Sequence, residues 1–153
     1  MRRYPLVFVL LAGLVSACQA LAPAPEPEEV ARIVAAADWD RVEDVKIELR
    51  DAGFTPREMK LKAGQPYRLT LVNLGVNNHY FNAPEFFARI AARKAQVPRY
   101  AEMKAPRFGN FEIFAAGGTI ELWFIPLEKG RYRAHCHLGN HADMGVEGHL
   151  VVE

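Results

Sequence analysis

Between Ala134 and Val146 the chain reads Ala-His135-Cys136-His137-Leu-Gly-Asn-His141-Ala-Asp-Met144-Gly-Val146. One thiol, three imidazoles and a thioether fall within ten residues. Soft sulfur and borderline nitrogen donors of this kind suit copper and zinc. Structural zinc takes four Cys or His ligands, commonly as two clustered pairs. A single cysteine among histidines fits a trigonal His₂Cys copper site with a weak axial ligand better. A strand end would deliver the Cys136 thiolate, and a short loop would fold His141 back toward the same ion. A second imidazole has to come from elsewhere. His79 is the one histidine upstream of the C-terminal region. Alone it would be read as a surface or capped group; beside the Cys136 loop it is the candidate ligand. His135 and His137 flank Cys136, and strand neighbours point to the opposite face. They are expected to be surface groups, the alternative being an auxiliary copper entry site.

These residues need a rigid frame, and the sequence supplies strands. Val45, Ile47 and Leu49 alternate with Lys46, Glu48 and Arg50, as a half-buried strand requires. Tyr67, Leu69, Leu71 and Asn73 alternate in the same way. Leu61 precedes the turn signal Ala63-Gly64, and Phe108 to Phe111 reads as a turn with Ile113 opening the next strand. Thr119–Ile125, Tyr132–Cys136 and Gly148–Val152 read as further strands, separated by glycine-bearing turns. His79 follows Asn77-Asn78, where an apolar strand gives way to a loop. Many short strands with turns between them predict an all-β sandwich or barrel. The stretch Pro84 to Ala95 departs from that pattern. Pro84 suits a helix start, Glu85 the first turn, and Arg93 and Lys94 the last. Phe86, Phe87, Ile90 and Ala91 would form its apolar face, which predicts a short helical insert. Between Pro84 and Phe108, Arg89, Arg93, Lys94, Arg99, Lys104 and Arg107 outnumber Glu85 and Glu102. A solvated face is the default reading, and a docking face for an acidic partner is the alternative.

The N-terminus predicts export. Arg2 and Arg3 precede an apolar run from Tyr4 to Val15, too short to span a bilayer stably. Val15-Ser16-Ala17-Cys18 then resembles a bacterial lipobox. The expected organisation is a lipoprotein signal peptide at 1–17, a Pro/Ala/Glu-rich tether with a short helix at 18–40, and one domain at 41–153. Its short helix is placed from Glu28 to Asp38. Cys18 is the expected lipidation site. The tether would hold the domain off the membrane on the periplasmic side of the cell envelope. Cleavage would remove two of the 19 basic residues and none of the 18 acidic ones, leaving a mature charge of −1. That balance excludes the basic footprint of a nucleic-acid binder. The chain has two cysteines. With Cys18 lipidated, Cys136 has no partner, and a lone exported thiol calls for a reason such as a metal.

From about Val45 to Val152 the sequence resembles the cupredoxins. Its parts occur in that family's order: Phe54-Thr-Pro56, Leu61-Lys-Ala-Gly64, Leu69-Thr-Leu-Val-Asn73, His79, Cys136 with His141, and Gly148-His-Leu-Val-Val152. The resemblance implies a Greek-key β-sandwich with one copper ion, cycling between Cu(I) and Cu(II), near one end. It implies His79, Cys136 and His141 as equatorial ligands. Two departures stand out. Met144 lies three residues after His141. Single-domain blue copper proteins usually place the axial methionine slightly later, and binuclear copper domains of respiratory oxidases use a similarly tight spacing. In the His-Cys-His loop of multicopper oxidases the axial position falls where Val146 stands here. Either Met144 binds weakly or the site is three-coordinate, and the second case favours Cu(I) and a higher potential. In those oxidases the histidines flanking the cysteine bind a trinuclear cluster that needs several His-x-His pairs. This chain has one such pair, so oxidase activity is not expected. The resemblance thus implies a type 1 copper electron carrier with a redox partner protein rather than an enzyme. The alternatives are a Cu(I) metallochaperone, storage or resistance lipoprotein with a copper acceptor, a copper enzyme with an open coordination position, or a cupredoxin-like domain without metal.

Overall fold

The computed structural model describes residues 23–153. The expected signal peptide, Cys18 and the first part of the tether lie outside the described residues. Pro27 and the acidic Glu28 and Glu29 open helix α1, Pro27–Ala36, where a proline's missing N–H and negative charge are both favourable. The helix expected at Glu28–Asp38 is thus slightly displaced, and a 3₁₀ turn at Trp39–Arg41 follows. Val30 of α1 packs on Ala91 and Ile125, so the helix covers the outer face of a sheet.

Two sheets form the sandwich that the alternating sequence predicted. The larger has strands β1 (Glu43–Arg50), β2 (Gly53–Thr55), β4 (Tyr67–Asn73), β6 (Ile90–Val97), β7 (Ala101–Met103) and β9 (Thr119–Pro126). Their spatial order is β2-β1-β4-β9-β6-β7. The smaller has β3 (Glu58–Leu61), β5 (His79–Asn82), β8 (Asn110–Ile113), β10 (Gly130–His135) and β11 (Glu147–Val152). Their order is β3-β11-β10-β5-β8. Neighbours far apart in sequence lie side by side in both sheets. Leu49, Leu69, Leu71, Leu122 and Phe124 meet Phe81, Phe111, Ile113, Tyr132 and Leu150 in one core between them. Each such fully buried side chain contributes roughly 1.5–3 kcal/mol.

The structure corrects three expectations. The insert is helical only over α2, Pro84–Phe87, and residues from Ile90 onward form β6. Ala, Arg and Lys favour a helix locally, but here they pair with β9 on one side and β7 on the other. A register shift between Ala92 and Lys94 breaks the period-two alternation, which hid the strand from pattern reading. Phe86 and Phe87 are buried as expected, but in the inter-sheet core rather than on a long helix face. Ile113 ends β8 instead of opening a strand, and His79 starts β5 rather than sitting in a loop.

Register explains why the chemistry collects at one end. β1 runs parallel to β4 with Leu49 beside Asn73, and β4 runs against β9 with Val72 beside Thr119. β5 runs against β8 with His79 beside Ile113, and β10 stops at His135. The turn at Asp51, the 74–78 loop, the 114–118 turn and the loop after His135 therefore share that end.

Candidate metal centre

Cys136 is the first residue beyond β10 and is completely buried. Its N–H donates to the Val146 carbonyl at 2.9 Å, which pins the two ends of the intervening loop together. Within that loop the N–H of His141 donates to the Leu138 carbonyl and that of Gly145 to the Ala142 carbonyl. The N–H of Val146 donates to the carbonyl of His141 itself. Gly145, at φ 84°, supplies a left-handed residue where the loop turns back toward β11. These bonds hold His141 Nδ1 3.5 Å from Cys136 Sγ. The sulfur also accepts the backbone N–H of Tyr80 at 3.3 Å.

His79 reaches the same point from the first position of β5. Its ring is completely buried and its centroid lies 5.1 Å from that of His141. One ligand atom from each of His79, Cys136 and His141 lies within 4.8 Å of the others. Among the described residues this is the one such cluster of three His, Cys or acidic donors.

The donor set fits a copper ion on an observation independent of spacing. His79 Nε2 lies 3.3 Å from Asp51 Oδ1, while His79 Nδ1 is buried with no hydrogen-bond partner. Asp51 is a committed acceptor. It takes the backbone N–H of Val76 at 3.0 Å, that of Asn77 at 3.2 Å and the Asn77 side-chain amide at 2.9 Å. These donors, the Val76 N–H first, pull its carboxyl down to about 2. The ring proton of His79 therefore belongs on Nε2, leaving the Nδ1 lone pair free. Burial pushes the imidazole below its ordinary range despite Asp51, so the neutral form that a metal requires is favoured. A buried acceptor without a donor is otherwise costly, and a bound ion removes that cost. Thiolate, imidazole and imidazole together are the set that suits copper.

The other sequence-derived candidates differ in burial and in partners. The Met144 side chain is 55% exposed, whereas Val146 is completely buried. His135 Nε2 contacts the Asn82 side-chain amide at 3.1 Å. His137 is exposed and lies against Tyr80, with ring centroids 4.1 Å apart. The basic residues of the insert do not make one free face. Arg89 pairs with Glu128, and Lys94 and Lys104 pair with Glu102. Arg93 lies over Trp39, and Arg107 donates to the Pro25 carbonyl.

Sequence reading missed Asp51 and Tyr80. Asp51-Ala-Gly is an ordinary turn sequence, and nothing local links it to His79 twenty-eight residues on. Tyr80 contributes only its backbone N–H to the sulfur, which no side-chain pattern reveals.

Comparison with known proteins agrees with this geometry. The family model described as "Cupredoxin-like domain" matches residues 7–152. A search of curated protein sequences finds no match. Among solved structures, the reduced auracyanin of the photosynthetic bacterium Roseiflexus castenholzii aligns at 16% identity and a TM-score of 0.51, covering 72% of this chain and 96% of that one. A multicopper oxidase of Campylobacter jejuni aligns at 15% identity and a TM-score of 0.50, covering 72% of this chain and 29% of that one. A copper-containing nitrite reductase of Thermus scotoductus aligns at 13% identity and a TM-score of 0.55, covering 72% and 30%. At these identities the structural likeness speaks for the sandwich, while the family match spans nearly the whole sequence. With its two-sheet sandwich and its clustered His79, Cys136 and His141, the chain belongs to the cupredoxin-like domain family.

Proposed function

We propose that this protein is a single-copper electron carrier of the bacterial cell envelope, tethered by lipid on Cys18. The observation that carries the electron-transfer reading is the buried donor set, in which one ligand atom each of His79, Cys136 and His141 lies within 4.8 Å of the others and His79 Nδ1 has no hydrogen-bond partner. Copper bound there supplies a one-electron couple between Cu(I) and Cu(II). The chain's part is to hold the ligands still. His79 is fixed on a strand, Cys136 is tied to Val146, and the loop is closed on His141 by backbone bonds. Little has to move when the charge changes.

In this reading Met144, which is 55% exposed, would not hold the ion, and the completely buried Val146 would supply hydrocarbon to its surroundings. Copper held by His79, Cys136 and His141 without a thioether would favour Cu(I). The surface around the site suits contact with a redox partner. Leu74, Val76, Phe114, Leu138 and Met144 are exposed on the three loops of that end. An apolar face of this kind marks an interaction site.

The decisive experiment is a visible spectrum of the purified domain loaded with Cu(II). An intense thiolate charge-transfer band, lost in Cys136→Ser, is expected. Its absence from the wild type would sink the type 1 reading. A second reading, Cu(I) delivery to an acceptor, has its own observation: His137 and Met144 offer an imidazole and a thioether to solvent on the ligand loop. It requires that Cu(I) pass to an acceptor protein faster than it dissociates into solution. Export and anchoring rest on Arg2, Arg3, the apolar run and Cys18. Labelled fatty acid should enter the wild type and not Cys18→Ser.

A further inference from the structure

The contacts of Asp51 exceed what a turn residue needs. It lies between β1 and β2, outside the ligand set, and its side chain is partly exposed. Yet its two oxygens take three donors from the 76–77 segment, and Oδ1 also faces His79 Nε2 at 3.3 Å. The chain makes room for this carboxylate. A Cβ on Gly75 would lie 3.0 Å from both Asp51 oxygens, so glycine is what lets the loop close over it. Gly75 is held in turn by the Asn73 side chain, which accepts its N–H at 2.9 Å and donates to the Asn77 and Ile113 carbonyls. The carboxylate is thus fixed from the loop side independently of His79. Nothing in the fold needs it to reach the imidazole as well.

Resting on the copper-site reading above, we propose that Asp51 is a positioning residue of the metal centre that acts through His79 to stabilise the oxidised state. The physical chain has three links. The carboxylate accepts the Nε2 proton and so fixes the ring's tautomer and orientation. A negative acceptor on Nε2 makes Nδ1 a stronger donor. A stronger donor favours Cu(II) over Cu(I), against the opposite bias of the buried Val146. Two features of this one chain thereby pull the potential in opposite directions, and Asp51 supplies the counterweight.

The test compares the reduction potential of the copper-loaded wild type with Asp51→Asn. Loss of a hydrogen-bonding partner behind a ligand typically costs about tenfold in metal affinity at the low end. Taken as a loss of Cu(II) over Cu(I), tenfold raises a one-electron potential by about 59 mV. In the Cu(I) protein the His79 Nε2 proton should also exchange with solvent faster in the variant, which proton NMR reads directly. Asn77→Ala is the control. It loosens the same loop and keeps the carboxylate, so stability should fall while the potential stays. An unchanged potential in Asp51→Asn overturns the inference, and so does an equal rise in Asn77→Ala, which would assign the effect to loop geometry. If Asp51→Asn does not fold, Asp51→Ser removes the charge with a smaller side chain and must show the same rise. Failure of the copper-site reading itself looks different: the wild type would then give no charge-transfer band, whatever stands at position 51.

Discussion

At the level of single residues, the contrast between Met144 and Val146 is the sharpest. They lie two positions apart on one loop, and burial separates them completely. Met144→Leu should therefore leave the copper spectrum and reduction potential unchanged. A shift in either would place the thioether on the metal. Val146→Met should lower the potential, because a soft axial donor stabilises Cu(II) relative to hydrocarbon. It should also destabilise the fold by about 1–3 kcal/mol through overpacking, read as a lower denaturation midpoint. The sequence pointed to Met144 as the fourth ligand, with a three-coordinate site beside Val146 as the alternative. Side-chain direction within the 136–146 loop depends on its internal hydrogen bonds, and those follow from how β10 and β11 anchor its ends.

Strands and turns decide how accurately the ligands are held. The 114–118 turn lies against Asn73 through the Asn73 N–H to the Gly118 carbonyl and the Gly117 N–H to the Asn73 carbonyl. A Cβ on Gly118 would sit 2.3 Å from the Phe114 carbonyl oxygen. Gly118→Ala therefore has to move backbone, and a drop in thermal midpoint with a perturbed copper spectrum is expected. A normal spectrum would show that the turn adjusts without disturbing Asn73 and His79. On the smaller sheet, Glu58 of β3 pairs with Arg131 of β10 across β11. Arg131 holds the Glu58 carboxyl below its ordinary value of 4.5. A lowered folded-state value stabilises the protein above about pH 4.5 and ceases to do so as pH falls through that lowered value. Glu58→Gln should accordingly be less stable than wild type at pH 7 and equal to it in acid. The difference should be small, because the pair is exposed.

For the whole molecule, the apolar loops and the ion matter together. Val76 is 85% exposed on the loop that Asp51 holds, and Phe114 projects from the neighbouring turn. If this end exchanges electrons, charge placed on it should slow the exchange. Phe114→Asp is expected to reduce electron self-exchange between two copies, most strongly at low salt, while leaving the potential near its wild-type value. An unchanged rate would move the contact face elsewhere. Copper should also stabilise the entire fold, since its ligands come together only in the native state. At free copper a thousandfold above its dissociation constant, linkage adds about 4.1 kcal/mol. Removing the ion with a chelator should lower the unfolding midpoint correspondingly.

Much of this was written in the sequence. Period-two alternation marked β1 and β4 because each buries one face, and the spacing of Cys136 and His141 marked the ligand loop because both residues are local to it. The limits have equally physical causes. Ile90 to Ala95 reads as part of a helix by composition and lies in a strand because β9 and β7 offer it a ladder on both sides. His79 joins Cys136 through the smaller sheet, which pairs β5 with β10. Asp51 meets His79 because β1 runs parallel to β4 and ends beside the 74–78 loop, a relation no local pattern encodes. Residue types and short spacings therefore determined which chemistry was available. Only the tertiary structure, by setting strand register, decided which donors share one buried point and what stands behind them.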